Sequence, residues 1–490
     1  MNNLEALEVP NDGEISLCEV NGCMQTIKYN YLDANTCIDI LKTFPTLHIT
    51  RDMLHSVISK GEGKALFLPV NVSFLKQLTQ IYYELGLIEA LHIASAHSQI
   101  LVSKTASVVL NILEYIKKIR TTFNPNVRHS MSNIIDQFSQ TRKWQHNTIR
   151  CISWHPHVKK VAIVTCDDSV RIFSSDIGND TISTVIRHRH QRNVTCIAWR
   201  YLSNSEIAVG HENGITIWNT DGNSLVSRPS ISNALFRKTS EHKPVMSIAW
   251  SRKGDKLISC AACDNAILVW DVELNKTNSL KSPGSSGNIL VKWSPTGEKL
   301  LSCSAGLIFR VWDCCTWQSE KWSLVAGRVQ TACWLNDGAT LIFATSTDSI
   351  IYSLTVKTDQ VFTSNIEVSN QALPIFDTTV VDIDGVIVGG LIQCMDSDPS
   401  GKHLAVLFQN TNNIVIFSVT SHPEIKLIPS SLVMGLPKEK PSILSFLQHF
   451  EAGACLTVGW SSGRIQYYPI IYTDLSALSL MGDSYHTGNK

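Results

Sequence analysis

Long apolar runs are missing from this chain. No stretch reaches the ~18–20 uncharged apolar residues of a membrane-spanning helix; the nearest, Val380 to Ile392, carries Asp382 and Asp384 and several glycines. No direct membrane span is expected, so residence at a membrane would come through a partner. The start, Met1-Asn-Asn-Leu-Glu-Ala-Leu-Glu, is acidic and lacks an apolar signal core. An excess of one charge is also missing. Lys plus Arg and Asp plus Glu are 42 each, which argues against a dedicated nucleic-acid binder, where a basic surplus is usual. Charged residues make up only 17% of the chain against 44% hydrophobic, the balance of a folded protein. At 490 residues it has room for one large core or several ordinary domains.

Catalytic and metal-binding groupings are sparse as well. Gly459-Trp-Ser461-Ser-Gly463 matches a nucleophile elbow, but that elbow needs a following helix, and Arg464-Ile-Gln-Tyr-Tyr-Pro469 reads as an alternating strand. Gly61-Glu-Gly-Lys64 lacks the spacing and the closing Ser/Thr of a phosphate loop and reads as a turn. Cys260-Ala-Ala-Cys263 has no second pair to complete four zinc ligands. His155-Pro-His157 reads as a turn and Arg187-His-Arg-His-Gln-Arg192 as a basic loop, solvated or facing an acidic partner. No catalytic residue, cofactor site or metal site is expected, and the chain is not read as an enzyme. The 14 cysteines sit mostly in apolar runs, as in Val-Thr-Cys196-Ile-Ala and Leu-Ser-Cys303-Ser. They read as small buried hydrophobes in a reducing compartment, where the N-x-S/T triplets at Asn71, Asn193 and Asn275 carry no glycan.

What the chain does contain is a repeat. Apolar residues lead to a Trp; a turn with Pro, Gly or Asp follows, then an apolar strand, a polar turn and a third strand ending in an aromatic. The clearest copy runs Val245-Met-Ser-Ile-Ala-Trp250, Lys256-Leu-Ile-Ser-Cys-Ala-Ala, Asp264-Asn-Ala-Ile-Leu-Val-Trp270-Asp271. Others begin at Ile149 (Trp154, Asp167, Phe173), Val194 (Trp199, Trp218), Ile289 (Trp293, Trp312) and Val329 (Trp334, Asp348, Ile351). Weaker copies begin near Ile392 (Pro399, Gly401, Phe417) and Ile443 (Trp460, Gly463, Tyr467). About seven units at roughly 40–60-residue spacing suit four-stranded WD40 blades with loop insertions. The expected fold is all-β, a seven-bladed propeller with an N-terminal extended segment and a small helical layer. The tryptophans should be buried between blades, and Asp167, Asp264 and Asp348 should fix turns by bonding backbone.

The expected divisions are 1–145 for extended segment and helices, 146–472 for the propeller and 473–490 for a short polar tail. Phe74, Leu78, Ile81, Tyr82 and Leu85, and then Val108, Val109, Ile112, Leu113, Ile116 and Ile119, fall at helical spacing. They form a layer packed on the ring or an apolar face for a partner. Asn133–Phe138 reads as a further short helix, and Val356 to Gly390 as a long loop or extra hairpin. Glu14-Ile-Ser-Leu-Cys-Glu-Val20 alternates suitably to supply a closing strand.

Several runs lie partly outside the generic repeat: Ser153-Trp-His-Pro-His157, His188-Arg-His-Gln-Arg-Asn-Val194, Gly327-Arg-Val-Gln-Thr-Ala-Cys-Trp334, Val458-Gly-Trp-Ser-Ser-Gly-Arg-Ile465, Tyr82-Tyr-Glu-Leu-Gly-Leu87 and Thr141-Arg-Lys-Trp144. In these the chain resembles the aladin family of WD-repeat nucleoporins over nearly its whole length. The departure is the short tail, where that family often carries a longer proline-rich one. The resemblance implies a nuclear pore component at the nuclear envelope, tethered by a multi-spanning transmembrane nucleoporin. It also implies support of nucleocytoplasmic transport and a role at spindle poles in mitosis. The competing expectation is a WD-repeat substrate receptor or signalling adaptor outside the pore.

Overall fold

The computed structural model describes residues 2–7, 14–20, 23–28, 47, 49–55, 103–112, 131–175, 181–220, 229–239, 241–356, 372–421, 424–450 and 453–472, with isolated positions between 78 and 95. The expected tail 473–490, the loop 357–371, the turn 61–64 and most of the helical region 72–120 lie outside the described residues. Two compact units are present: Met1–Leu54 with Ile135–Lys490, and His55–Ile134. The first is a propeller of seven blades.

Each blade is an antiparallel meander whose first strand is innermost. Blade 1 comprises Ile149–Trp154, Lys160–Thr165, Val170–Ser175 and Thr181–Ile186. Blade 2 is Cys196–Trp199, Glu206–His211, Gly214–Asn219 and Ala234–Arg237. Blade 3 is Val245–Trp250, Lys256–Ala261, Ala266–Asp271 and Lys276–Lys281. Blade 4 is Asn288–Trp293, Lys299–Ser304, Ile308–Asp313 and Ser319–Ser323. Blade 5 is Val329–Trp334, Thr340–Thr345, Ile350–Thr355 and Leu373–Asp377. Blade 6 is Ile392–Ser397, His403–Phe408, Asn413–Thr420 and Lys426–Met434. Blade 7 has Pro441–Phe446, Gly453–Trp460 and Ile465–Tyr472, then Glu14–Val20 and Cys23–Lys28 as fourth and fifth strands.

The N-terminal strand joins blade 7 in parallel, with Cys18 opposite Ile471 and Glu19 opposite Tyr472. It covers an edge of unpaired N–H and C=O groups that would otherwise face solvent. Adjacent first strands touch all the way round, blade 7 against blade 1 included. Middle strands read as unbroken apolar runs because both their faces meet a neighbouring blade; Thr340–Thr345 and His403–Phe408 are buried at every position. Fourth strands face solvent, and Lys276–Lys281 is exposed at five positions of six.

The tryptophan that closes the first strand does more than fill space. The Trp199 indole N–H donates to the Ser153 carbonyl at 3.1 Å, Trp250 to Ala198 at 3.2 Å, Trp293 to Ala249 at 3.3 Å and Trp334 to Lys292 at 3.2 Å. In each case the acceptor stands one residue before the preceding blade's tryptophan. Trp154 reaches back to the Thr457 hydroxyl of blade 7 at 2.8 Å. Blades 6 and 7 end their first strands in Ser397 and Phe446, so the ladder lapses there. Trp460 closes the second strand of blade 7 instead, fully buried beside Gly435, where a Cβ would stand 2.3 Å from its ring.

Segments before the first blade fill the junctions. Leu4 and Leu7 join the apolar cluster between blades 5 and 6, and Asn2 bridges Phe376. Leu47 and Leu54 sit in the cluster between blades 7 and 1. The interval after blade 5 supplies that blade's outer strand and the hairpin Val381–Ile383/Val386–Val388. In the second unit, residues 103–112 are helical, with Ala106 buried and Val108, Val109 and Ile112 exposed.

Candidate functional site

The first strands enclose a central channel with a volume of about 450 Å³, within the ~300–1,000 Å³ of ordinary ligand pockets. One end is lined by a segment that precedes the first blade. The helix Met131–Phe138 leads into a strap whose backbone is held by successive blades. Gln137 and Ser139 carbonyls accept from Arg328 of blade 5 (2.8 Å) and Gln393 of blade 6 (2.9 Å). The Arg142 N–H donates to the Ser442 carbonyl beside blade 7, and its guanidinium to the Thr411 carbonyl at 2.7 Å. Thr141 donates to the Arg150 carbonyl of blade 1, and the buried Trp144 indole to the Val194 carbonyl before blade 2. Arg150 stacks over Trp144 at 4.0 Å, a geometry that adds cation–π attraction. Phe138 to Thr141 thus line the channel where the first strands begin. At the other end stand the turns after the first strands, with Arg252, Asn336, Pro399 and Gln448 exposed at the rim.

The position before the first-strand tryptophan lines the channel in every blade. It holds Ser153, Ala198, Ala249, Cys333 and Ser445 in five blades, and Lys292 and Asp396 in blades 4 and 6. The Lys292 ammonium lies 3.9 Å from the Cys333 sulfur. The Asp396 carboxylate accepts the Phe446 N–H at 2.8 Å, a main-chain group in the blade without a closing tryptophan. Burial pushes the Asp396 carboxyl up, against the opposing pull of Lys292 and the Phe446 amide. Cysteines Cys151, Cys196 and Cys394 also line the channel. Burial pushes Cys151 and Cys333 up to about 11 and Cys196 and Cys394 up to about 12. At neutral pH they are thiols, poor nucleophiles and poor metal ligands.

The residues singled out in sequence divide by place. Trp154, Trp199, Trp250 and Trp334 are buried at the blade junctions and Trp293 half-buried, edge-on to Trp317. Trp218, Trp270 and Trp312 are buried on third strands. Asp264 belongs to a four-residue network: its carboxylate meets His242 Nδ1 at 2.7 Å, His242 Nε2 meets Ser259 Oγ at 2.8 Å, and Trp270 donates to that same hydroxyl at 2.8 Å. Asp264 also accepts the Ala266 N–H, fixing the turn. Trp312 repeats the indole-to-hydroxyl bond with Ser302 at 2.9 Å. Asp167 is exposed in its turn; burial works against its charge, but bonds from Thr165 and Ser169 outweigh this and hold it below the ordinary carboxylate range. Its neighbour Asp168 ties the turn to other elements, accepting from Arg150 at 2.6 Å and from the Val194 N–H at 3.0 Å.

The motifs suggestive of chemistry resolve into turns. Ser461 accepts the Lys440 N–H at 3.1 Å and leads through a turn into the strand Ile465–Tyr472, with no helix. Cys260 is buried in a strand and Cys263 exposed in the next turn. His155 Nδ1 accepts the His157 and Val158 N–H groups while Nε2 meets the Ser203 carbonyl, which occupies both ring nitrogens. In the basic loop His188 and Gln191 are buried while Arg187 and Arg189 are exposed. Among the described residues, no group of three His, Cys, Asp or Glu is placed to hold a metal. Three features escaped the sequence reading: the strap 137–145, the His242–Ser259–Trp270 network, and the Lys292 and Asp396 pair. The last had a signal, since both are the charged exceptions at a repeat position otherwise small.

This geometry defines a class: a closed, seven-bladed WD-repeat propeller, a rigid ring of loops built for protein interaction. The family model for the aladin seven-bladed propeller matches residues 130–471, and the chain belongs to that family. A curated relative, Aladin of Arabidopsis thaliana, is 26% identical over 352 residues, 66% of this chain and 75% of the relative. Among solved structures, the β-propeller domain of Cps50 (Swd1) from Myceliophteria thermophila superposes with a TM-score of 0.50 at 14% identity. That match covers 66% of this chain and 96% of the other, and it shows the fold alone.

Proposed function

We propose that this propeller is a structural adaptor of the nuclear pore complex, held at the pore membrane by a transmembrane nucleoporin and supporting nucleocytoplasmic transport. The observation that carries the reading is the family match, residues 130–471, which takes in the helix Met131–Phe138, the strap and strands of all seven blades. No helix among the described residues is long and apolar enough to cross a membrane, which is in keeping with attachment through a partner. The ring supplies the rigidity an adaptor needs, because its interblade indole bonds end on buried or main-chain groups of the preceding blade rather than on mobile surface groups.

The test is localisation of a fluorescent fusion expressed from its own locus. A punctate nuclear rim that coincides with other nucleoporins is expected, together with co-purification of a multi-spanning membrane protein from detergent extracts. Diffuse signal with no nucleoporin recovered overturns the pore reading. A rim signal that persists after the co-purified membrane protein is depleted overturns the tether.

A further inference from the structure

We propose that the central channel is a binding site for a small zwitterion of amino-acid type, its carboxylate on Lys292 and its ammonium on Asp396. This goes beyond the adaptor reading and does not depend on it.

Two charged side chains enter a channel whose corresponding positions are otherwise Ser, Ala or Cys. An ammonium has three donors, and the hydrogen-bond partner of Lys292 among the described residues is a thiol at 3.9 Å, a weak acceptor. A carboxylate has about four acceptor sites, and Asp396 uses one side-chain oxygen on a main-chain N–H. No ion pair joins the two within 4.0 Å among the described residues. Both side chains are half-buried on the channel wall and attract each other across it, and a ligand carrying both opposite charges engages both. They stand on blades 4 and 6, with Cys333 of blade 5 between them, so they are offset along one arc of the wall. At the corresponding positions the opposite arc carries the small side chains Ser153, Ala198, Ala249 and Ser445.

The shape selects the ligand size. The strap residues Phe138 to Thr141 line the end where the first strands begin. About 450 Å³ suits a small molecule. The thiols along the wall are neutral, so they neither compete for the ammonium group nor repel the carboxylate.

Isothermal titration of the full chain with glycine, β-alanine, 4-aminobutanoate and 6-aminohexanoate reads the spacing between the two charges. Affinity is expected to peak at one chain length, at least tenfold above hexanoate and hexylamine, each of which lacks one charge. Lys292→Met should lower that peak affinity at least tenfold, and Lys292→Arg should retain most of it. Asp396→Asn should remove the preference for the zwitterion over hexanoate while leaving hexanoate binding. Melting temperatures establish that each variant is folded, and Lys292→Arg supplies the reading if Lys292→Met is not. Absence of saturable binding by every probe up to 10 mM overturns the proposal, as does equal binding by wild type and folded Lys292→Met.

Discussion

Acid should destabilise this propeller through His211, and the size of the effect follows from its surroundings. His211 ends the second strand of blade 2 and is fully buried. Its Nε2 meets the Thr216 hydroxyl at 3.0 Å and its Nδ1 accepts the Asn213 N–H at 3.2 Å, an arrangement that only the neutral ring satisfies. Phe236 stacks on it at 5.8 Å. Burial, with His188 and His190 adding repulsion, lowers its pKa from 6.5 to about 3. The unfolded chain therefore binds a proton between those values while the folded chain does not, so stability is lost as pH falls below 6.5. Between pH 7 and pH 5 the loss from this one group is about 2 kcal/mol, a sizeable part of a typical ~5–15 kcal/mol. At pH 5 the folded ring is still unprotonated, so the loss is set almost wholly by the unfolded pKa. Urea unfolding at pH 7 and pH 5, for wild type and His211→Gln, measures it. The wild type should lose about 2 kcal/mol more than the variant over that interval. Parallel losses in the two proteins would refute the account of a neutral, doubly bonded imidazole.

Trp250→Ala should cost about 3–5 kcal/mol, since it empties a blade junction and leaves the Ala198 carbonyl without its donor; an unchanged melting temperature would show that the ladder is not a stabilising contact. Ser259→Ala should cost about 1–3 kcal/mol, because it removes the partner of both His242 Nε2 and the Trp270 indole N–H. The matching change at Ser302, which serves Trp312, should cost less, and thermal melts of the two variants rank them. Removing residues 14–28 should expose the edge of Ile465–Tyr472 and lower the melting temperature, with aggregation on heating; a monomer that melts as before would show that ring closure does not rest on that strand.

Blades 1 to 5 were legible because each closes its first strand with Trp, and one indole reaching one carbonyl needs the same local spacing each time. Blades 6 and 7 were faint for the same reason: Ser397 and Phe446 stand where the tryptophan belongs, and the blades are recognisable by turn residues and later aromatics, Pro399, Gly401 and Phe417 in one and Trp460, Gly463 and Tyr467 in the other. Glu14–Val20 showed its alternation, but nothing local told that its partner would be Ile465–Tyr472, more than four hundred residues away, or that it would lie parallel. The His242–Asp264 contact spans 22 residues, and the bond from Gln393 to Ser139 spans 254. Neither leaves a periodic trace, because each depends on where the ring brings loops together. Lys292 and Asp396 were visible as charges inside apolar strands, yet only the closed circle shows that the two positions face one channel.

The placement of the N-terminal segments answers the lapse in the tryptophan ladder. Four indole bonds link blades 1 to 5 in unbroken sequence, and a fifth joins blade 1 to Thr457 of blade 7. Between blades 5, 6 and 7 there is no such bond among the described residues, and Ser397 with its short hydroxyl reaches the Trp334 carbonyl at 3.4 Å. Leu4 and Leu7 fill the junction of blades 5 and 6, Glu14–Val20 completes blade 7, Leu47 and Leu54 pack at blades 7 and 1, and Arg142 ties the strap to blade 7 and to the Thr411 carbonyl. Blades 3 and 4, whose own ladder is intact, receive none of these supports among the described residues. The N-terminal segments therefore act as parts of the ring, and those at blades 5, 6 and 7 stand where it lacks indole ties. Truncating Arg142 to Ala should then loosen blades 6 and 7 before blades 3 and 4, and hydrogen exchange would show faster loss of protection in His403–Phe408 and Gly453–Trp460 than in Lys256–Ala261. Equal acceleration in all seven blades would mean that the ring opens as one unit and that the supports have no local task.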